Sequence, residues 1–167
     1  DTQAKMRGYM ASCVRATDVS QNDNFVKRLT ALIDSSERKS VSFERKSGSP
    51  LSHSLSTEIA MILILKSADL SNPTRPLHIY RRWVDGVMAE FFAQGDAERA
   101  LGLPISMNCD RTSVEVPKVQ AGFISNLVQP LFAAVSRVLP ELRETALPNL
   151  KLNLTYFTQP ESAELEA

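Results

Sequence analysis

The stretch Tyr80-Arg81-Arg82-Trp83-Val84-Asp85-Gly86-Val87-Met88-Ala89-Glu90-Phe91-Phe92 decides the fold class. Tyr80, Trp83, Val84, Val87, Met88, Phe91 and Phe92 recur at separations of three and four, the spacing of one face of an α-helix. The stretch predicts a helix packed on a core and ending at Gln94-Gly95-Asp96, with Gly95 in the C-cap role. Toward the C-terminus, residues 96 to 118 read as irregular, broken by Gly102 and Pro104. After Pro117 a second apolar stripe of Phe123, Ile124, Leu127, Val128, Leu131, Phe132 and Val135 predicts another buried helix, kinked at Pro130. Leu139 to Leu154 reads as one more helical stretch, broken at Pro140 and Pro148. The acidic tail 161–167 is expected to fray.

Toward the N-terminus, Asp69-Leu70-Ser71-Asn72-Pro73 is a polar break, since a proline disfavours helix at the residue before it. The apolar run from Thr57 to Ala68, with Lys66 near its end, predicts a buried helix. Residues 35 to 50 carry a near repeat, Ser-Glu-Arg-Lys-Ser at 36–40 and Phe-Glu-Arg-Lys-Ser at 43–47, and end in Gly48-Ser49-Pro50. No apolar face offsets the entropy of ordering them, so a flexible surface loop is expected. The basic-flanked Ser40 and Ser47 are candidate phosphorylation sites, and a plain solvated insertion is the simpler reading. Residues 2 to 33 read as helical with a break near 20–24, where Asn24 is a candidate N-cap. No segment alternates with period two, and the chain is read as all-α.

Composition limits the function. The chain has 167 residues, with 19 Lys and Arg against 19 Asp and Glu. That size suits one domain. Zero formal charge removes the footprint of a general nucleic-acid binder or of charge-driven membrane attachment. The longest unbroken apolar run, Ile59 to Leu65, falls short of the roughly 20 residues of a membrane span. Cys13 and Cys109 are too few for a disulfide framework and read as reduced thiols, which makes a cytoplasmic protein the expectation. An opening on Asp1 suggests a piece of a longer chain.

Several chemistries lack their signatures. The two histidines, His53 and His78, lie on unrelated segments, and no CxxC or HExxH spacing supports a self-contained zinc site. No glycine-rich loop opens a helix to cradle phosphates. Two polar residues at the ends of apolar helices stand out instead. Asp69 follows the apolar run directly, where a carboxylate is costly unless it caps a helix, pairs with a cation or binds a metal. Gln120 opens the helix that carries Phe123, and an amide beside an aromatic ring can read the edge and face of a planar heterocycle.

Taken in order, six blocks resemble the class I cyclic nucleotide phosphodiesterases. They are Ala68-Asp69-Leu70-Ser71-Asn72-Pro73-Thr74; Tyr80 with Trp83; Glu90-Phe91-Phe92 with Gln94-Gly95-Asp96 and Glu98; Leu101-Gly102-Leu103-Pro104; Cys109-Asp110-Arg111; and Gln120 with Gly122-Phe123-Ile124 and Pro130-Leu131-Phe132. Upstream, Ala16-Thr17-Asp18-Val19-Ser20 resembles the family's ATD segment. The resemblance covers about residues 14 to 157. It implies a compact all-helical, HD-type catalytic domain longer than this chain, of which residues 1–167 are the C-terminal part. The family's histidine motifs, which bind two metal ions and supply the general acid, are absent from the chain.

Asp69 then resembles a ligand of the tighter metal, usually Zn²⁺, beside a second ion, Mg²⁺ or Mn²⁺, held largely through waters. Thr17 resembles a residue near the metal-bound waters. Gln120 resembles the glutamine that hydrogen-bonds the base, and Phe123 the ring stacked on it. By the same resemblance Val87 would be the opposing apolar jaw, with Val84 and Phe91 lining the pocket. Asn72, Tyr80 and Trp83 resemble neighbours that orient the base or hold Gln120. Asn108, Val119 and Asn22 depart from the commoner pattern, and the segment 35–50 has no usual counterpart. The implied activity is hydrolysis of cAMP, cGMP or both, with the rest of the catalytic domain as a required partner and a homodimer left open. A single metal-ligating carboxylate cannot hold a catalytic ion, so residues 1–167 alone are predicted inactive. The competing reading is an inactive helical module that binds nucleotides or other proteins.

Overall fold

In the computed structural model, which describes residues 1–40 and 55–159, every regular element is helical. The order is α1 (Thr2–Ala16), a 3-10 turn (Val19–Gln21), α2 (Asn22–Ser40), α3 (Thr57–Asp69), a second 3-10 turn (Asn72–Thr74), α4 (Leu77–Ala100), α5 (Val116–Phe123), a π turn (Ile124–Val128), α6 (Gln129–Val138) and α7 (Leu142–Thr158). Among the described residues there is no strand, so the all-α expectation holds.

The core is built where the stripes meet. Leu29 and Ile33 of α2, Tyr80, Val84 and Met88 of α4, Ile124, Val128, Leu131, Phe132 and Val135 of the α5–α6 run, and Leu150 and Phe157 of α7 are all buried in one cluster. Each such aliphatic or aromatic side chain contributes about 1.5–3 kcal/mol through removal from water. By length and composition the run Val116–Val138 would suffice to cross a membrane. In this fold it is the central core helix.

The break between α1 and α2 falls earlier than the polar cluster suggested. Asp18 Oδ1 accepts from the Ser20 amide at 2.9 Å, and α2 begins at Asn22, which leaves Asn24 inside the helix. The expected loop at 35–50 is partly helix, because α2 continues to Ser40. An ion pair holds it where apolar contacts do not. Arg137 of α6 donates to Asp34 at 2.6 Å and to Glu37 at 2.9 Å. Residues 41–50, His53, the Ser40 and Ser47 side chains and the tail 161–167 lie outside the described part.

Helix α4 does not stop at Gly95. It runs on to Ala100 and closes at Gly102, whose φ of +68° suits a residue without Cβ. The Leu103 amide donates to Glu98 O and the Gly102 amide to Arg99 O, a Schellman closure. Gly95 serves a different end. A Cβ there would lie 1.9 Å from the Cys109 carbonyl oxygen, so the helix needs a bare backbone to admit the 101–115 loop.

Pro130 bends the chain as expected, and the distortion takes the form of the π turn just before it. Pro148 does not break α7, which runs through it and starts at Leu142, two residues after Pro140. Pro148 is exposed, so the backbone carbonyl it leaves without a partner faces water. Helix α3 spans Thr57–Asp69 on a Ser56 N-cap, as the apolar run predicts. Only one face of it is buried, however, the face of Leu63 and Lys66. Ile64 is 69% exposed, and Met61 and Leu65 nearly 40%.

Candidate functional site

One face of α4 and one face of α5 form the two walls of a cleft of about 750 Å³. Tyr80, Val84, Val87 and Phe91 recur along α4 at helical spacing and face it, with Trp83 at its edge. Gln120 and Phe123, three residues apart on α5, face it from the other side. Val19, Asn72, Met107, Asn108, Asn126 and Leu127 complete the rim from the turns and the 101–115 loop. All eight residues expected to bind a heterocycle therefore line one cavity. Trp83 departs from its core assignment, since it is 53% exposed and reaches the cleft rather than the interior.

The floor of the cleft is a polar relay. The Tyr80 hydroxyl donates to Gln120 Oε1 at 2.7 Å, with both side chains buried. Phe157 of α7 packs edge-on against the Tyr80 ring, 5.7 Å between centroids at 83°. Burial pushes the Tyr80 phenol far above its ordinary ionisation range, so it remains a proton donor throughout the physiological range. Its bond fixes the Gln120 amide. Two N–H donors on Nε2 and one free lone pair on Oε1 are left for a ligand.

Helix α7 also places Asn72. Asn153 Nδ2 donates to the carbonyls of Pro73 at 2.7 Å and Arg75 at 2.8 Å, and Asn149 Nδ2 to that of Thr74 at 2.9 Å. The turn after Asp69 is thus clamped by two amides some 75–80 residues later in the chain. On the opposite rim, Asn22 Nδ2 donates to the Leu127 carbonyl at 3.1 Å across 105 residues. This bond ties the turn carrying Val19 to the π turn carrying Leu127.

The 101–115 loop is clasped to the end of α4 by charge. Glu98 accepts from the Ser106 amide at 2.7 Å and hydroxyl at 2.6 Å, Arg99 pairs with Asp110 at 2.7 Å, and Arg111 donates to Asp96. Hydrogen bonds from Thr112 and the Arg99 charge hold the Asp110 carboxyl down at about 2. Hydrogen bonds from Arg111 lower Asp96, and those from Ser106 lower Glu98. Arg111 also lies over the Phe92 ring at 5.4 Å. This clasp sets Met107 and Asn108, the latter at φ +66°, at the mouth of the cleft.

Asp69 and Thr17 lie elsewhere. Neither lines the cleft. Asp69 is the exposed last residue of α3, so its carboxylate carries no desolvation cost here, contrary to the reading of a buried helix surfacing at that point. Thr17 is exposed at the C-cap of α1, where its hydroxyl donates to the Val14 carbonyl at 2.8 Å. The two ends are joined by Lys66, which is 1% exposed and donates from Nζ to the Ala16 carbonyl at 2.9 Å. Burial lowers its ionisation, against the opposing pull of Asp69 and then Asp18. Among the described residues no group of three His, Cys, Asp or Glu side chains could hold a metal ion. Asp69 alone does not fit one, and His78 is exposed on α4 away from the cleft.

A family model described as 3′5′-cyclic nucleotide phosphodiesterase matches residues 1–150. The chain belongs to that family. Among phosphodiesterase relatives, it is 36% identical over 138 residues to the mouse dual specificity calcium/calmodulin-dependent 3′,5′-cyclic nucleotide phosphodiesterase 1B, covering 83% of this chain and 23% of the relative. It is 33% identical over 153 residues to mouse 3′,5′-cyclic-AMP phosphodiesterase 4C, covering 91% of this chain and 21% of the relative. It is 30% identical over 167 residues to the Drosophila melanogaster high affinity cGMP-specific 3′,5′-cyclic phosphodiesterase 9A, covering 98% and 10%. The chain thus spans less than a quarter of these relatives. The structure of LmjPDEB1 in complex with IBMX shares the fold, with a TM-score of 0.73 at 24% identity, over 96% of this chain and 44% of that one. All six blocks behind the phosphodiesterase resemblance lie within the matched residues.

Of the cleft residues, Met107, Lys118, Asn126 and Leu127 were missed as site residues by sequence reasoning, as were the clamps Asn149 and Asn153. Val19 sits in the ATD-like segment, and Asn108 and Val119 were already marked as departures from the phosphodiesterase pattern. All three line the cleft.

Proposed function

We propose that the chain is the base-recognising part of a catalytic domain that hydrolyses the 3′ phosphoester of cAMP, cGMP or both to the 5′-monophosphate. The Tyr80–Gln120 bond at the floor of the aromatic-lined cleft supports this most strongly. Adenine and guanine each present a donor beside an acceptor on the edge a glutamine can reach. Gln120, with two N–H groups and one lone pair free, matches either pair by a change of register. Phe123 supplies a face for the ring and Val87 the opposite wall, so the flat base is desolvated on both sides. Base preference is therefore not set by Gln120 alone.

Metal chemistry belongs to residues beyond this chain. Asp69 would offer one hard oxygen ligand to a Zn²⁺ site completed from outside the chain, with Mg²⁺ or Mn²⁺ as the second ion, and Thr17 stands at the neighbouring helix end. Bound ions of this kind activate water and neutralise charge on the phosphoryl group. What the chain itself does is bind and orient the nucleotide.

The test is Gln120→Ala in the full-length protein that carries this chain, assayed for cAMP and cGMP hydrolysis. The expected result is a KM raised roughly ten- to a hundredfold, from about 1–3 kcal/mol of lost base contacts, with kcat little changed. An unchanged KM contradicts the assignment. A full-length protein with no turnover but intact nucleotide binding moves the reading to a binding module.

A further inference from the structure

One amide in the cleft has no task assigned to it so far. Asn108 lines the cavity together with Gln120 and Phe123. Its side chain is half-buried and has no hydrogen-bond partner among the described residues. Of the other amides there, Gln120 is held by Tyr80, Asn72 is already counted among the groups that orient the base, and Asn126 is exposed. The backbone around Asn108 is built to hold it still. The Cys109 amide donates to the Ser106 carbonyl at 3.1 Å and closes a four-residue turn with Asn108 third, at φ +66°. Positive φ at that place suits glycine or asparagine, and glycine adopts it with the least strain. Both ends of the turn are anchored. Ser106 gives two hydrogen bonds to Glu98, and the Cys109 carbonyl lies against the bare backbone of Gly95. The turn needs only a residue that tolerates positive φ, and the amide of Asn108 is surplus to it.

We propose that Asn108 sets the base preference by accepting a hydrogen bond from the 2-amino group of guanine, which makes cGMP the favoured nucleotide. This inference rests on the proposed function and names the substrate of that same cleft. With Tyr80 on one lone pair of Oε1, Gln120 keeps donors and one acceptor position, enough for two neighbouring polar groups on a purine edge. Adenine presents two there, its 6-amino group and N1, followed by a C–H. Guanine presents O6 and N1–H and then a third polar group, the 2-amino group, which requires an acceptor. Asn108 Oδ1 supplies it from the same cavity. With adenine, the Asn108 amide leaves water and gains no partner in return. A site built to hydrogen-bond one group rejects the analogue that lacks it, because its own polar atom is then buried unpaired.

The test compares three substrates of the full-length protein that carries this chain: cGMP, cAMP and cyclic inosine monophosphate, which is cGMP without the 2-amino group. The kcat/KM for cGMP is expected to exceed that for each of the others by roughly ten- to a hundredfold, mostly through KM. Asn108→Gly preserves the turn, so Tm should hold or rise. In that variant cGMP and cyclic inosine monophosphate should become equal to within about twofold. Asn108→Asp keeps the acceptor and should keep the preference for cGMP. Equal use of cGMP and cyclic inosine monophosphate by the wild type, a preference for cAMP, or a cGMP advantage that survives Asn108→Gly overturns the inference. Loss of the preference in Asn108→Asp overturns it as well. The wild-type comparison needs no variant and stands if one misfolds. Dissociation constants for the three nucleotides are measured by calorimetry on the same proteins. Tighter binding of cGMP that depends on Asn108, without turnover, refutes the proposed activity alone. Turnover without that dependence refutes the role of Asn108 alone.

Discussion

The two ends of this molecule are finished to different degrees. Around α4, α5 and α7 every rim of the cleft is tied down. Tyr80 fixes Gln120, two asparagines of α7 clamp the Asn72 turn, and an ion-pair clasp holds the 101–115 loop. Around α1 and α3 the apolar side chains face water and the one expected metal ligand stands alone. On the proposed function, the difference teaches that recognition of the base is built from the tied-down part of the fold, while activation of the phosphate needs groups that these 167 residues do not supply.

The sharpest way to break this comparison is Asp69→Ala in the full-length protein. Turnover is expected to fall by about a thousandfold or more, since a direct ligand to a charge-stabilising ion contributes several kcal/mol to the transition state. Nucleotide affinity and Tm should change little, because Asp69 is exposed and outside the cleft. Near-normal kcat with full metal content would contradict the division of labour.

Gly95→Ala strikes the finished end. A methyl group 1.9 Å from the Cys109 carbonyl must displace the backbone of the loop. The expected cost is about 2–4 kcal/mol in denaturant unfolding of residues 1–167, accompanied by weaker nucleotide binding as Met107 and Asn108 shift. A loss below about 1 kcal/mol would show that the loop is not tightly seated.

Lys66→Met asks what the strut at the unfinished end contributes. Replacing a buried cation by an apolar side chain of similar length is expected to change stability by no more than about 1 kcal/mol, toward stabilisation. The folded-state ionisation of Lys66 is lowered by burial, so the unfolded chain holds the proton more tightly. Wild-type stability should then rise with pH as the solution approaches 10.5 from below, and the variant should lack that rise. Identical pH profiles for the two proteins would refute the buried charge.

The smallest effect lies in the clasp. Asp96, Glu98 and Asp110 all have lowered ionisation, Asp110 to about 2. Their contribution is full above the unfolded carboxyl value near 4 and is lost as pH falls through the folded values. Asp110→Asn should therefore flatten the acid limb of the stability curve between roughly pH 4 and 2, by removing stability that the wild type has above pH 4 while changing little near pH 2. A steeper acid limb in the variant would reverse the sign.

Much of the finished end was legible in the sequence, because local periodicity creates it. The stripe Tyr80–Phe92 and the pair Gln120 and Phe123 place their own side chains, and Pro130 announced its bend. The unread parts are those set by distant contacts. Gly95 looked like a helix end because a C-cap glycine and a glycine admitting another backbone are the same residue in one dimension. Asn149 and Asn153 gave no local sign of clamping a turn some 75 residues earlier. Residues 35–40 looked too polar to order, yet Arg137 pairs with Asp34 and Glu37 across about 100 residues. Helix α3 read as buried because it is apolar on nearly every side, and composition alone does not tell the face that packs from the face left in water.

The central claim is that base recognition is complete in residues 1–167 and catalysis is not. It is tested most directly by following conversion of cAMP and cGMP to 5′-monophosphates by residues 1–167 and by the full-length protein, each with Mg²⁺ and with EDTA. The account predicts turnover by the full-length protein only, abolished by EDTA. Metal-dependent turnover by residues 1–167 alone, or none by a folded full-length protein, would contradict it.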